Sequence, residues 1–489
     1  MASDGRASGR RERIVLSGLF ALGLLLRFLA ARGLDFWEDD IGTITDIRRI
    51  TSLAEFLRAS PVSGHPPLGF LFGKVAFALL GVSGRAGEEL LCRAPFLIAG
   101  ALAVPLAWAV ARRLSEGWVP LAVAAATALS PLLLWCDRDI RGYALLAPLS
   151  LATALFWLRA QDEDRPRDWA CFVAFATLTA WDHYNALPFV AALLLVGALE
   201  RRDRPVRPIL AGVAILALYA PWLPALREHL RMIELGRHSE QVQLHIPPVA
   251  LTSPLYVLFG LVLGYTVFPW SVVVVLPVAL AGAALTAAGL ARARAESCWR
   301  VPLLGLALPV AGAAATTFHM PRYYVAYVPF LFLLLARGAQ SLMARSRAAL
   351  VLPLVLLAGV VVSDADLLLG RQYHFLYPLR PWREAAAIVR ANPAPVVAIL
   401  DRPFATTYVP DLVAHDPQAL ARSGVTAVWV LVDEVVSEPA EEATLAPFRA
   451  AGFHVTDRPL LVDADHEARE RWVGRGVRAT PVRLLRLER

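Results

Sequence analysis

Five short polar clusters interrupt an otherwise apolar sequence, and each holds side chains able to move a proton or grip an anion. The first is Trp37-Glu38-Asp39-Asp40, three consecutive carboxylates beside a tryptophan. Carboxylates placed near a low-dielectric boundary suit a general base or a metal site. They read equally well as a solvated acidic loop, since charge is unremarkable outside hydrocarbon. The second is His65-Pro66-Pro67-Leu68, where two prolines fix an extended turn before an apolar stretch. Taken alone it is a helix start with an incidental histidine. The third, Asp137-Arg138-Asp139-Ile140-Arg141-Gly142-Tyr143, sets acids beside guanidinium groups. These either neutralise one another or present an arginine to a phosphate. The fourth and fifth are Asp182-His183-Tyr184 and His319-Met320-Pro321-Arg322-Tyr323-Tyr324, whose aromatic rings are ordinary for a membrane interface.

What must position these clusters follows from composition. The chain has 489 residues, 57% apolar and 18% charged, with a mean hydropathy of +0.53. That is too apolar for a water-soluble protein of this length. The net charge of +7 is spread over short basic clusters between apolar runs. No single basic face forms, which argues against nucleic acid as a partner. Cys92, Cys136, Cys171 and Cys298 show no CxxC spacing and read as packing residues.

Apolar runs long enough to cross a bilayer recur near 14–31, 91–111, 118–135, 142–160, 169–182 and 185–199. Others lie near 208–225, 271–291, 301–318, 323–341 and 348–369. Arg10, Arg11 and Arg13 precede the first run, which reads as an uncleaved span. Alternate breaks are short and rich in arginine: Arg112-Arg113, and the segments beginning at Arg159, Glu200, Ala291 and Arg337. The positive-inside rule puts these and residues 1–13 in the cytoplasm. All five polar clusters then fall on the opposite side. Two further apolar stretches, 67–82 and 251–268, fit the alternation only as interfacial or re-entrant helices.

The expected fold is therefore a polytopic α-helical membrane protein with about eleven spans. Residues 14–369 form its membrane domain, with an external loop over 32–90. From about 370 to 489 the charge rises and long apolar runs vanish. Strands are expected at Val396–Leu400, Val425–Val432 and Val482–Leu487, and helices at Arg383–Arg390 and Glu441–Ala451. This is the pattern of a small α/β domain, external if eleven spans follow a cytoplasmic start.

The motifs in their order resemble those of the bacterial family 39 glycosyltransferases of the GT-C superfamily, the class holding protein O-mannosyltransferases and lipid A aminoarabinose transferase. The resemblance covers nearly the whole chain. It rests on the Trp37 cluster, HPPLGFLFGKVAFALLGVSG from His65, Arg93-Ala94-Pro95, the span ending Arg112-Arg113-Leu114, and SPLLLWCDRDIRGYALL from Ser130. The His183-Tyr184 span end and HMPRYYVAYVPFLFLLLARG from His319 complete it. The chain departs from the pattern at Asp40 and Asp139, where glutamate is common; both changes keep a carboxylate and shorten its reach.

The resemblance implies a GT-C membrane domain in the bacterial inner (plasma) membrane. It also implies transfer of a sugar from a polyprenyl-phosphate donor to a lipid, glycan or protein hydroxyl on the external face, with inversion. Asp39 would be the general base. Asp139 would act beside it by orienting Arg141 or the acceptor. Arg141, His65 and Arg322 would hold the leaving phosphate, and Asp40, Tyr143, His183, His319 and Tyr323 would complete substrate binding. Some members of the superfamily use a divalent cation such as Mg or Mn and others use none; no ligand spacing here decides between them. Two other readings fit a polytopic chain. A polyprenyl-lipid transporter or flippase would show matching broken helices and polar residues at the bilayer midplane, and neither is evident. A membrane scaffold would leave the external polar clusters as coincidence.

Overall fold

In the computed structural model the described residues are 2–49, 52, 66–200, 206–237, 252–296, 300, 303–315, 320–371, 382–399, 406–414, 416–433, 438–461 and 482–489. The chain divides into two compact units. One comprises Met1–Ala31, Asp46–Ala76 and Arg93–Leu369; the other comprises Arg32–Thr45, Phe77–Cys92 and Gly370–Arg489.

The first unit is helical. Its elements begin with α1 (Ala2–Ala31), and α2 (Glu38–Arg49) enters it from Asp46 onward. Then come α3 (Leu68–Leu80), which belongs to it as far as Ala76, α4 (Glu89–Ala101), which belongs to it from Arg93, α5 (Ala103–Leu114), α6 (Val119–Ala128), α7 (Pro131–Asp137), α8 (Tyr143–Glu163), α9 (Pro166–Asp182) and α10 (Ala186–Glu200). The rest are α11 (Val206–Tyr219), α12 (Leu223–Arg237), α13 (Thr252–Leu263), α14 (Val272–Ala295), α15 (Leu308–Ala315), α16 (Val328–Met343) and α17 (Val351–Leu368). Many outward positions on these helices are large and apolar, such as Val213, Val273 and Leu280, each more than half exposed. Only a hydrocarbon solvent satisfies such a surface, while the helices close their own backbone hydrogen bonds. The protein is a multi-pass membrane protein.

Among the described residues, seven helical stretches are long and apolar enough to span a bilayer. They are Arg10–Ala31, Glu89–Leu114, Tyr143–Glu163, Val206–Arg231, Val272–Ala295, Pro321–Met343 and Arg347–Leu368. The run expected near 118–135 is a pair, α6 and α7, bent by 48°. The bend has a local cause. Ser130 caps α7, its hydroxyl accepting the Leu133 N–H at 3.4 Å, and Pro131 has no N–H to continue the preceding helix. The runs at 169–182 and 185–199 form α9 and α10, of 17 and 15 residues. Of the run at 301–318, the described residues form a π turn, Leu303–Ala307, followed by α15. The two stretches read as interfacial form α3 and α13, of 13 and 12 residues. At 1.5 Å per residue these reach only about 20 Å, short of a hydrocarbon core of about 30 Å.

The second unit is built on a five-stranded sheet: β1 (Val396–Ile399), β2 (Ala427–Asp433), β3 (His454–Asp457), β4 (Leu460–Leu461) and β5 (Val482–Glu488). Its order is β1-β2-β5-β3, with β4 also on β5. The β1–β2 pair is parallel, and β5 runs antiparallel to β2, β3 and β4. Alternate residues Val428, Val430 and Val432 meet Leu485, Leu487, Leu445 and Phe448 in one apolar core. Three further helices belong here: α18 (Trp382–Ala391), α19 (Pro417–Arg422) and α20 (Glu438–Ala450). β1, β2, β5, α18 and α20 overlap the segments where alternation and helical periodicity placed strands and helices, whereas β3, β4 and α19 lie where none was expected.

Candidate active site

The bend between α6 and α7 decides where the third polar cluster lies. α7 is fully buried and ends at Asp137, so the chain emerges into the turn 138–142 with Asp139 almost wholly enclosed. The Asp139 N–H closes back on the Cys136 carbonyl at 3.3 Å. Beyond the turn, Tyr143 opens α8.

Two other clusters come to the same place. The Tyr143 ring lies 5.3 Å from His183 and 6.4 Å from Tyr323, and His183 lies 5.9 Å from Tyr323, measured between centroids. The Arg322 guanidinium stands 5.6 Å from the Tyr143 ring centre and 5.4 Å from that of Tyr323, at cation–π distance. Its position is fixed from behind, because the Arg322 N–H donates to the Tyr265 hydroxyl at 3.0 Å. Asn185 ties the two segments together: its side-chain amide donates to the Tyr323 carbonyl at 2.9 Å, and its backbone N–H donates to His183 Nδ1 at 3.2 Å. That last bond assigns the imidazole proton to Nε2.

His183 sits in the turn between α9 and α10. Burial, and then the nearby charges of Arg322, Arg141 and His229, push its pKa down to about 3. The imidazole is therefore neutral at pH 7. It can donate through Nε2 but adds no positive charge. The charge comes from arginine: Arg141 is close enough to act electrostatically on both His183 and Asp46. Half-buried in α2, Asp46 has its pKa raised by burial, against the opposing pull of Arg49 and Arg141.

The turn is also wedged in place. A Cβ on Gly69 of α3 would lie 2.9 Å from the Gly142 nitrogen, and one on Gly142 would lie 2.5 Å from Asp182 Oδ1. Only glycines allow the HPPLG segment, the DRDIRG turn and the Asp182 end of α9 to approach so closely. Of the residues expected in the site, Tyr143, His183, Arg322 and Tyr323 thus form one contact group, with Arg141 in its field. His65 and His319 lie outside the described residues.

Asp39 and Asp40 belong to the second unit. Asp39 is partly exposed in the first turn of α2, and its carbonyl accepts the Thr43 hydroxyl at 2.8 Å. Asp40 is fully buried, with Oδ2 turned back toward the Trp37 N–H at 3.5 Å. That is a position from which a carboxylate favours a helix start. Among the described residues no three His, Cys, Asp or Glu side chains are grouped to hold a metal.

Sequence reasoning passed over Arg27, Asp46 and Asp364, and gave Asp182 no role of its own within the fourth cluster. Arg27 donates to Asp137 Oδ2 at 2.6 Å with both side chains fully buried, and its charge also reaches Asp364. Among the described residues, neither carboxylate oxygen of Asp182 has a hydrogen-bond partner. For Arg27, Asp182 and Asp364 the available signal was a charge inside or at the edge of an apolar run, which is rare without a reason.

The chain has the fold of the GT-C glycosyltransferases. It is similar to the crystal structure of ArnT from Cupriavidus metallidurans in the apo state, with a TM-score of 0.55 and 16% identity over 99% of this chain and 98% of that one. The same protein bound to undecaprenyl phosphate matches with a TM-score of 0.53 and 15% identity, over 95% and 97% of the two chains. The archaeal oligosaccharyltransferase AglB from Archaeoglobus fulgidus, in complex with an inhibitory peptide and a dolichol-phosphate, gives a TM-score of 0.53 at 12% identity. That match covers 89% of this chain and 71% of AglB. More particularly, the model of the dolichyl-phosphate-mannose-protein mannosyltransferase family matches residues 64–224, the stretch holding the HPPLG, DRDIRGY and DHY segments. No curated protein sequence matches the chain.

Proposed function

We propose that this protein is a membrane glycosyltransferase that moves a sugar from a polyprenyl-phosphate donor to an acceptor hydroxyl on the external membrane face, with inversion. The observation that carries the reading is the Arg322, Tyr143, His183 and Tyr323 group on a GT-C fold, with Arg141 beside it. An arginine standing over aromatic rings, with a second nearby and a neutral imidazole donor, suits a phosphate joined to an apolar chain. The fold relatives support the class of lipid. One was solved with undecaprenyl phosphate and another with a dolichol-phosphate.

In the proposed reaction Asp39 takes the proton of the acceptor hydroxyl as its oxygen attacks the anomeric carbon. The bond from that carbon to the phosphate oxygen breaks on the opposite face. The electron pair leaves with the polyprenyl phosphate, whose charge Arg141 and Arg322 stabilise. Phosphate is a competent leaving group, so the second acid that glycoside hydrolysis requires is not needed. Asp139 orients Arg141 from within the turn.

The test is Asp39→Asn in purified, lipid-reconstituted protein supplied with polyprenyl-phosphate-linked sugars and envelope extract, with released polyprenyl phosphate quantified by mass spectrometry. The variant should insert and fold as wild type does, while transfer drops by roughly 10²–10⁴, the share a general base supplies. A variant that transfers sugar at the wild-type rate overturns the assignment of Asp39.

A further inference from the structure

The segment that carries Asp39 is held by the second unit's own α/β elements. Arg383, the second residue of α18, donates through its backbone N–H to Asp35 Oδ2 at 2.9 Å and through Nη2 to the Gly33 carbonyl at 2.5 Å. Its Nε also forms an ion pair with Asp35. One residue on, the Phe36 N–H donates to the Tyr408 hydroxyl at 2.8 Å, and that hydroxyl in turn donates to Glu89 Oε1 at 3.2 Å. The Phe36 and Tyr408 rings lie 6.5 Å apart. Tyr408 is held from its other end, since its carbonyl accepts from Arg390 of α18 at 3.0 Å. Phe36, Glu89 and Tyr408 are all buried.

The chain therefore enters α2 through two adjacent anchors, and Asp39 follows the second by three residues. The anchoring is specific in a way that loose packing is not. The Phe36 amide is out of water and depends on the Tyr408 hydroxyl, and the hydroxyl's own proton is committed to Glu89, so each group has a defined donor or acceptor role. A base must sit within a few tenths of an ångström of its productive place, and a partly exposed first helical turn frays unless its entry is fixed.

We infer that Tyr408 and Arg383 are positioning residues for transfer, holding the 33–40 segment so that Asp39 is presented in one place; this rests on the reading of Asp39 as general base. The C-terminal domain is on this view part of the catalytic apparatus.

The test uses the full-length protein in lipid with Tyr408→Phe, which keeps the ring and removes the hydroxyl, and Arg383→Gln with Arg383→Lys as its charge-retaining partner. Hydrogen exchange over residues 34–40 should quicken in Tyr408→Phe, while exchange in the strands β2 and β5 stays as in wild type. The kcat for transfer should fall roughly 10- to 100-fold, the range expected for a misplaced catalytic group. The KM for the polyprenyl-phosphate donor should stay within about twofold, the mark of a group that acts on the chemical step and not on donor binding. Arg383→Lys should recover part of the loss seen in Arg383→Gln. Unchanged exchange over 34–40 overturns the tether. Faster exchange with unaltered kcat overturns its role, and so does a parallel fall of kcat and donor affinity that tracks loss of folded protein. A wild-type protein that transfers no sugar instead removes the general-base reading itself, a result distinct from all of these because the exchange measurement needs no turnover.

Discussion

Gly142→Ala tests whether the wedged turn matters. The added methyl carbon would lie 2.5 Å from Asp182 Oδ1, 3.1 Å from Cγ and 3.2 Å from the Asp182 carbonyl oxygen. Ordinary contact begins near 3.4 Å, so the turn must move by roughly 0.5–1 Å, and overpacking of this kind costs about 1–3 kcal/mol. Retreat is blocked on the other side. A Cβ on Gly69 would meet the Gly142 backbone at 2.9 Å, so α3 already lies against the turn. The displacement therefore passes along the turn to Arg141 and Asp139, where a shift of about 1 Å can lower the rate by about 10²-fold. Gly282→Ala is the control, since nothing lies within 4 Å of a Cβ there. Thermal unfolding in detergent and transfer from a polyprenyl-phosphate donor would be measured on both variants. Gly142→Ala should lose stability and most of its activity while Gly282→Ala keeps both. If the two variants are indistinguishable, the turn is not under the constraint described.

Arg322→Ala should weaken polyprenyl phosphate binding by roughly 10- to 100-fold, the worth of a charge-assisted contact; ligand-induced thermal shifts measure it, and an unaltered affinity would remove Arg322 from the phosphate site. His183 gives a pH dependence whose sign is fixed. Its pKa is pushed down to about 3 in the folded protein, against about 6.5 in an unfolded chain, so the unfolded state binds more protons between those values. The stabilising contribution is whole above about pH 6.5 and is lost as pH falls toward 3. The melting temperature of His183→Gln should accordingly fall less steeply than that of wild type between about pH 6.5 and 4. Parallel curves would show that His183 does not carry the effect.

Much of this was legible because the signals are local. Twenty-residue apolar runs and arginine-rich breaks report the bilayer directly, and span ends on one side gather whatever polar residues they carry. Tyr143, His183, Arg322 and Tyr323 meet for that reason. Periodicity is blind to pairs far apart in sequence. The Phe36 to Tyr408 bond joins residues 372 positions apart, and it helps explain why 32–45, read from sequence as membrane-domain loop, clusters with the C-terminal sheet. Asp46 went unnoticed because a single carboxylate in an ordinary amphipathic helix has no local mark; only Arg141, brought beside it by the fold, makes it notable. The bend at Ser130 was hidden inside a run long enough to be one straight span.

The buried pair of Arg27 and Asp137 has a consequence for how the chain is made. The two residues are 110 positions apart, so at about 5–20 residues per second the arginine is synthesised roughly ten seconds before its partner. Asp364, in the last helix of the first unit, arrives later still. During that interval a guanidinium in the first helix lacks the carboxylate that later neutralises it, a state that hydrocarbon strongly disfavours. The first helix therefore completes its native burial only when the seventh helix delivers the counter-charge. Biogenesis of this protein is on that account a matter of order as well as of hydropathy.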